Sequence, residues 1–248
     1  MPAERPAWAA SHVGRVRSVN QDACLVGAWR SGQPVEAWRG VLPSEYTWAV
    51  IADGMGGHRG GEVASRIVID TIAGLIRTAK NDAAVGSMLE TANQHLFEGM
   101  YSRQGSPGMG TTVVGVILSG QQLTVFNVGD SRAYLLKEGE LVQLSQDDTL
   151  NVRHGGALTR SHALTQSLGG TASIHKLTPH LRHTVVQPEN TILLCSDGLT
   201  DMIEESEVAG ILSRHPYNPI EHLLAAALDA GGDDNISIVV IGPEANSQ

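Results

Sequence analysis

Five aspartates in this 248-residue chain stand at strand-to-loop transitions, each beside Gly or Asn or at the border of an apolar run: Asp22, Asp53, Asp130, Asp197 and Asp234. A lone Asp-Gly is a turn, because both residues are good turn formers. Five such places in one chain carry more. Carboxylates gathered without cations repel one another and resist ionisation, so a convergent cluster is stable chiefly with hard divalent ions among them. All-oxygen ligation suits Mg²⁺ or Mn²⁺. Two such ions close together can bridge a water, lower its pKa and aim it at phosphorus or a carbonyl, which makes hydrolysis the natural chemistry. Spacing alone does not bring the five loops together; the elements between them must.

The apolar run Trp48 to Ala52 reads as a strand that stops at Asp53-Gly54-Met55-Gly56-Gly57. Helical spacing of Ala64, Ile67, Val68, Ile72, Leu75 and Ile76 predicts a helix over Gly61 to Ala79, and a second is expected over Ala83 to Met100. Thr111 to Leu118, Leu123 to Val128 and Ala133 to Lys137 read as three antiparallel neighbours, a meander. Gln146 to Pro188 lacks a clear period and reads as an irregular insertion across the sheet edge, holding His154, His162, His175, His180 and His183. A strand at Thr191 to Cys195, helices at Glu205 to Ser213 and Pro219 to Ala230, and a strand at Ile236 to Ile241 follow. Without strict strand–helix alternation, this order points to an α+β layered domain rather than a doubly wound sheet.

Apolar residues make up 42% and charged residues 17%, which excludes a disordered chain. The net charge of −9 disfavours nucleic acid or an anionic membrane as partner. Cys24 and Cys195 lie far apart without CxxC spacing, and neither a signal-like nor a membrane-spanning apolar run is evident, so a cytoplasmic protein is expected. GxxxxGK[ST], GxGxxG, GxSxG and HExxH motifs are all absent, which removes several enzyme classes.

Six segments in order carry a resemblance: Gly14-Arg15-Val16-Arg17-Ser18-Val19-Asn20-Gln21-Asp22, Ala52-Asp53-Gly54-Met55-Gly56-Gly57-His58, Gly108-Met109-Gly110-Thr111-Thr112, Gly129-Asp130-Ser131-Arg132, Cys195-Ser196-Asp197-Gly198-Leu199 and Gly232-Asp233-Asp234-Asn235. Together they resemble the motifs of the PPM/PP2C family of metal-dependent Ser/Thr protein phosphatases, in its compact bacterial form, over residues 11–242. The resemblance implies one domain over 1–248 with a flap-like insertion at 146–188. Its fold would be a four-layer α-β-β-α sandwich, two mostly antiparallel sheets flanked by helix pairs. It also implies hydrolysis of phosphoserine and phosphothreonine by a water activated between two Mn²⁺ or Mg²⁺ ions, with a weaker third ion. The implied partners are phosphorylated proteins, among them a Hanks-type kinase and its substrates.

Carried over residue by residue, Asp53 would bridge the two ions, the Gly54 carbonyl would complete one site, Asp197 and Asp234 would hold the other ion, and Asp22 would act through bound water. Asp130 with Asp197 would hold the third ion, and Arg17 would clamp the substrate phosphate. Eukaryotic members carry a histidine directly after the Asp-Gly, where this chain has Met55. That leaves the proton donor open between a metal-bound water and His58. Gln21 replaces an acidic residue, removing a charge near the ions. Arg132 reads as a structural ion pair, Thr111 and Thr112 as hydrogen-bonding support, Cys195 as a small buried hydrophobe and Asn235-Ile236-Ser237 as an idle sequon. Arg153, His154 or Arg160 would be the flap's contacts to substrate. The alternatives are a catalytically silent regulatory module of the same fold and a phosphatase of a sigma-factor pathway.

Overall fold

The computed structural model of the chain describes residues 4–56, 60–102, 105–154 and 157–245, and within 151–162 the backbone alone. In chain order the elements are β1 (Glu4–His12), β2 (Asp22–Val26), β3 (Trp29–Arg30), β4 (Val35–Pro43), β5 (Thr47–Met55), α1 (Gly60–Leu75), α2 (Asp82–Met100), β6 (Gly110–Thr111), β7 (Val113–Ser119), β8 (Gln122–Val128), β9 (Arg132–Lys137) and β10 (Glu140–Gln143). They continue as β11 (Thr149–His154), β12 (Ala157–Leu164), β13 (Leu168–Gly169), β14 (His180–Val185), β15 (Thr191–Cys195), α3 (Asp197–Thr200), α4 (Glu205–Arg214), α5 (Pro219–Asp229) and β16 (Ile236–Ile241).

Two large antiparallel sheets result, beside a separate two-stranded pair of β11 and β12. One runs β10-β9-β15-β16-β1-β4, and the other runs β13-β6-β5-β7-β8-β14 with β2 and β3 beside β5. Strand alternation assigns each side chain to a layer. In β2 and β5, Ala23, Leu25, Val50 and Ala52 face α1 and α2, while Cys24, Val26, Ala49 and Ile51 face the other sheet. In β15 and β16, Ile192, Leu194, Val239 and Ile241 meet them, and Leu193, Cys195, Ile238 and Val240 turn to α4 and α5. Three apolar cores thus separate four layers, the expected α-β-β-α sandwich. Both faces of each sheet are covered, which is why these strands read as unbroken apolar runs. No described helix is long and apolar enough to cross a membrane.

Two expectations are corrected. β9 does not continue a meander: β7 pairs with β8, but β9 pairs with β10 and β15 in the opposite sheet. The chain crosses between sheets at Gly129, whose φ of +101° suits glycine, so Asp130 sits on a crossover rather than a hairpin turn. The segment from Gln146 to Pro188 is not irregular either. It contains the β11–β12 hairpin, and β14 adds itself to the edge of β8 with register His180↔Asn127. Its polar, histidine-rich alternation is that of an edge strand with one wet face.

β1 and β4 carry no strong strand signal, yet they pair over nine residues. Arg5 shows how tertiary context overrides the composition of β1. Its guanidinium is fully buried and donates to the carbonyls of Asn190, Gly242 and Gln187 at 2.9–3.0 Å.

Candidate active site

The antiparallel register places Asp22 directly opposite Asp53, so the first residue of β2 and the late part of β5 bring two carboxylates onto neighbouring strands. Like charges so placed repel, and the backbone around Asp53 is correspondingly tied down. Its carbonyl accepts from Thr111 Oγ1 at 2.8 Å and from the Thr112 N–H at 2.9 Å, and its N–H donates to Thr112 Oγ1 at 3.2 Å. Thr112 Oγ1 also meets Ser131 Oγ at 2.7 Å, beside Asp130. Both threonines are therefore support, as expected. Gly54 and Gly61 face each other so closely that a Cβ on either would strike the backbone of the other, which lets α1 press against the acidic loop.

The remaining acids arrive from the other sheet. Asp130 is buried on the crossover, Asp197 opens α3 at the end of β15, and Asp234 precedes β16. All four partners act on Asp53. Burial first, then the charges of Asp22, Asp197, Asp234 and Asp130, hold its carboxyl well above the usual carboxylate range. Burial also lifts Asp22 to about 6, against the hydrogen bonds of Ser237 and Ser196. Asp197 rises to about 7 through burial and the charges of Asp130, Asp201, Asp234 and Asp22. Asp22 Oδ1 and Asp197 Oδ1 are buried with no hydrogen-bond partner among the described residues.

A cavity of about 600 Å³ opens over this cluster, lined by Asp53, Gly54, Asp130, Asp197 and Asp234 together with Arg17, Gln21 and Met55. Exposed Arg17 sits at its mouth, with Nη2 2.6 Å from Asp234 Oδ2. Oxygen-only donors with orphaned lone pairs fit hard divalent cations in kind. Among the described residues no three His, Cys, Asp or Glu side chains already close around one ion position. Of the other sequence candidates, His58 lies outside the described residues, as do the side chains of Arg153, His154 and Arg160.

Arg132 is the structural ion pair expected, with both Nε and Nη2 on Asp147 Oδ2 at 3.0 and 2.8 Å. Cys195 is fully buried, and burial pushes its thiol up to about 12, in keeping with a small hydrophobe. Asp148, just before β11, is a structural hub. It accepts from the Gly129 N–H at 2.8 Å and Gln166 Nε2 at 3.0 Å, and meets His180 Nε2 at 2.8 Å.

Sequence reasoning quoted Asn235 in a motif and an idle sequon but gave it no structural role. Its Oδ1 accepts from the Gln21 N–H at 2.8 Å, and its Nδ2 donates to the carbonyls of Val13 and Val19 at 2.9 and 3.0 Å. One buried amide thus folds the loop carrying Arg17 back onto the Asp234 turn. The only signal was a polar residue wedged between an acidic pair and an apolar run. Asn235→Ala is expected to destabilise the protein by about 2–4 kcal/mol in urea unfolding, because three partners lose their bonds at a buried site. A loss below about 1 kcal/mol would show the loop to be held by other contacts. Ser196, whose hydroxyl donates to Asp22 Oδ2 at 2.9 Å, and Ser237 were likewise named without a role.

These motifs and their placement match known proteins over nearly the whole chain. A family model described as protein phosphatase 2C covers residues 11–230. The Ser/Thr protein phosphatase PstP of Mycobacterium tuberculosis is 32% identical over 246 residues, covering 94% of this chain but 44% of PstP. The chain therefore spans less than half the length of that relative. The Ser/Thr phosphatase stp of Listeria welshimeri serovar 6b is 30% identical, with 92% of each chain covered. A crystal structure of the PstP catalytic domain in complex with two manganese ions superposes with a TM-score of 0.76 at 29% identity, covering 96% of this chain and 98% of that one. Five convergent aspartates, an arginine at the cavity mouth and a match of this extent lead to one conclusion: the chain belongs to the protein phosphatase 2C family.

Proposed function

We propose that this chain hydrolyses phosphoserine and phosphothreonine monoesters in proteins. The observation that carries the reading is the crowding of Asp22, Asp130, Asp197 and Asp234 around Asp53 beneath a cavity with Arg17 at its mouth. Such a charge set is costly unless cations occupy it. Divalent ions, when bound, supply a water of lowered pKa and offset the phosphoryl charge. Asp53 and the Gly54 carbonyl would hold one ion, Asp197 and Asp234 the other, with Mn²⁺ and Mg²⁺ both suited to these oxygens. Asp22 lies behind them with one carboxylate oxygen fixed by Ser196 and would orient their waters. Asp130, close to Asp197, would hold a weaker third ion.

Arg17 reaches the cavity from a loop that Asn235 fixes, and its planar fork of donors matches two phosphate oxygens. Its present partner Asp234 can then turn to a cation, leaving the guanidinium for the dianionic phosphoryl group. The partners would be phosphorylated proteins of the cytoplasm, a Hanks-type kinase and its substrates among them. Two buried cysteines, neither in a disulfide, accord with a reducing compartment.

Phosphate release from a phosphothreonine peptide, measured with Mn²⁺, with Mg²⁺ and in EDTA, tests the reading. Release with at least one metal and none in EDTA is expected. No release with either metal, from peptide or phosphorylated kinase, would replace the enzyme with a binding module of the same fold.

A further inference from the structure

Hydrolysis of a phosphoserine or phosphothreonine leaves a strongly basic oxygen that must be protonated as it departs. Met55, directly after Asp53-Gly54, has no proton to give, and its methyl rests over Gly110 and Gly170. Thr112 is held between Ser131 and the backbone of Asp53. Gln166 donates to Asp148 and Thr178.

His175 stands apart from these. It is the one imidazole among the described residues lining the cavity that contains Arg17, Asp53, Asp130, Asp197 and Asp234. It is half-buried, on the loop that follows β13. That loop is tied at its start and at His175 by one buried amide on α2: Asn93 Oδ1 accepts from the Gly169 N–H at 2.8 Å, and Asn93 Nδ2 donates to the His175 carbonyl at 3.4 Å. The ring is oriented as well. His175 Nδ1 lies 3.3 Å from Thr171 Oγ1, and that hydroxyl gives its single hydrogen to the Ser173 carbonyl at 2.8 Å. Thr171 Oγ1 must therefore accept at His175, which assigns a hydrogen to Nδ1 and leaves Nε2 as the basic nitrogen. A second residue fixing the tautomer in this way is the usual arrangement of a working histidine.

We propose that His175 is a catalytic residue, the donor of the proton taken by the departing serine or threonine oxygen. The inference rests on the phosphatase reading above. As the water oxygen bonds to phosphorus, the P–O ester bond breaks with its electron pair on the side-chain oxygen, which takes the proton from Nε2. One hydrogen of the water stays on the product phosphate, and the other returns to the imidazole through solvent. The charged groups that share the cavity with the ring are Arg17, Asp53, Asp130, Asp197 and Asp234, with exposed Lys176 beside it on the loop.

A leaving group that needs no proton separates this role from a structural one. With His175→Ala, turnover is compared on a phosphothreonine peptide and on p-nitrophenyl phosphate, whose phenolate departs unaided. The peptide kcat is expected to fall about 100-fold further than the p-nitrophenyl phosphate kcat, the size of a general-acid contribution. Thr171→Val keeps the imidazole but removes the acceptor that fixes its tautomer, and should move the same ratio by a smaller factor. Equal losses on both substrates, or a rise in peptide KM with kcat unchanged, would overturn the assignment. Wild-type protein inactive on both substrates with Mn²⁺ and Mg²⁺ would instead overturn the phosphatase reading, and this inference with it.

Discussion

Asp53→Asn is expected to lower metal-dependent phosphate release by about 10³-fold or more, the equivalent of about 4 kcal/mol of transition-state stabilisation. Asp53 is the acid on which the other four act, so its loss takes the central carboxylate from the set that would hold the divalent ions. The fold should survive. The hydrogen bonds that hold this part of β5, from Thr111, Thr112 and to Thr112, all use the Asp53 backbone, which asparagine shares. In metal-free buffer at neutral pH the variant should melt higher than wild type, because a carboxyl forced up by burial and like charges no longer has to ionise there. Activity thus disappears while thermal stability rises. Retained turnover, or a variant that unfolds, would refute the placement of Asp53 at the centre of the site.

The metal-free protein should lose stability as pH rises, opposite to the usual effect of salt-bridged carboxylates. Asp22 and Asp197 have folded-state values lifted from 3.8 to about 6 and about 7, so the fold binds their protons more tightly than the unfolded chain does. Their contribution is full below pH 3.8 and is lost as pH climbs through the folded values. Across that window the two groups together give up at most about 7 kcal/mol, and the Tm should fall steadily as pH rises. Mn²⁺ or Mg²⁺ competes with those protons and needs the ionised form. At about 100 times its Kd, an ion adds about 2.7 kcal/mol, more at pH 8 than at pH 5. Melting curves in EDTA and in metal across this range decide it. A metal-free Tm that stays level or climbs with pH would show that the five carboxyls are not coupled as described.

The chemistry at stake was legible early because acids at the ends of apolar runs are local features. The unbroken apolar runs of β5, β7, β8, β15 and β16 and the period-3.6 runs of α1, α2, α4 and α5 were legible for the same reason, since burial imprints its pattern wherever an element has covered faces. β1 was not, because an alanine-rich stretch opening on Arg5 and Pro6 has little strand propensity and is held by its neighbours β16 and β4. β14 was not, because an edge strand with one wet face needs no apolar pattern.

What the sequence determined by itself was the inventory: which residues are acidic, that each stands near one end of an apolar run, and that Arg17 and Asn235 accompany them. The tertiary structure decided which of them meet. A strand's alternation is the same whichever sheet it joins, so nothing local to Ala133 to Lys137 could show that β9 crosses at Gly129 and leaves Asp130 among the other acids. Nor could spacing reveal that Asp22 lies in register with Asp53, or that His175 reaches their cavity from a loop anchored by Asn93. Those juxtapositions depend on pairings between residues distant in sequence, whose energies exist only once the chain has closed on itself.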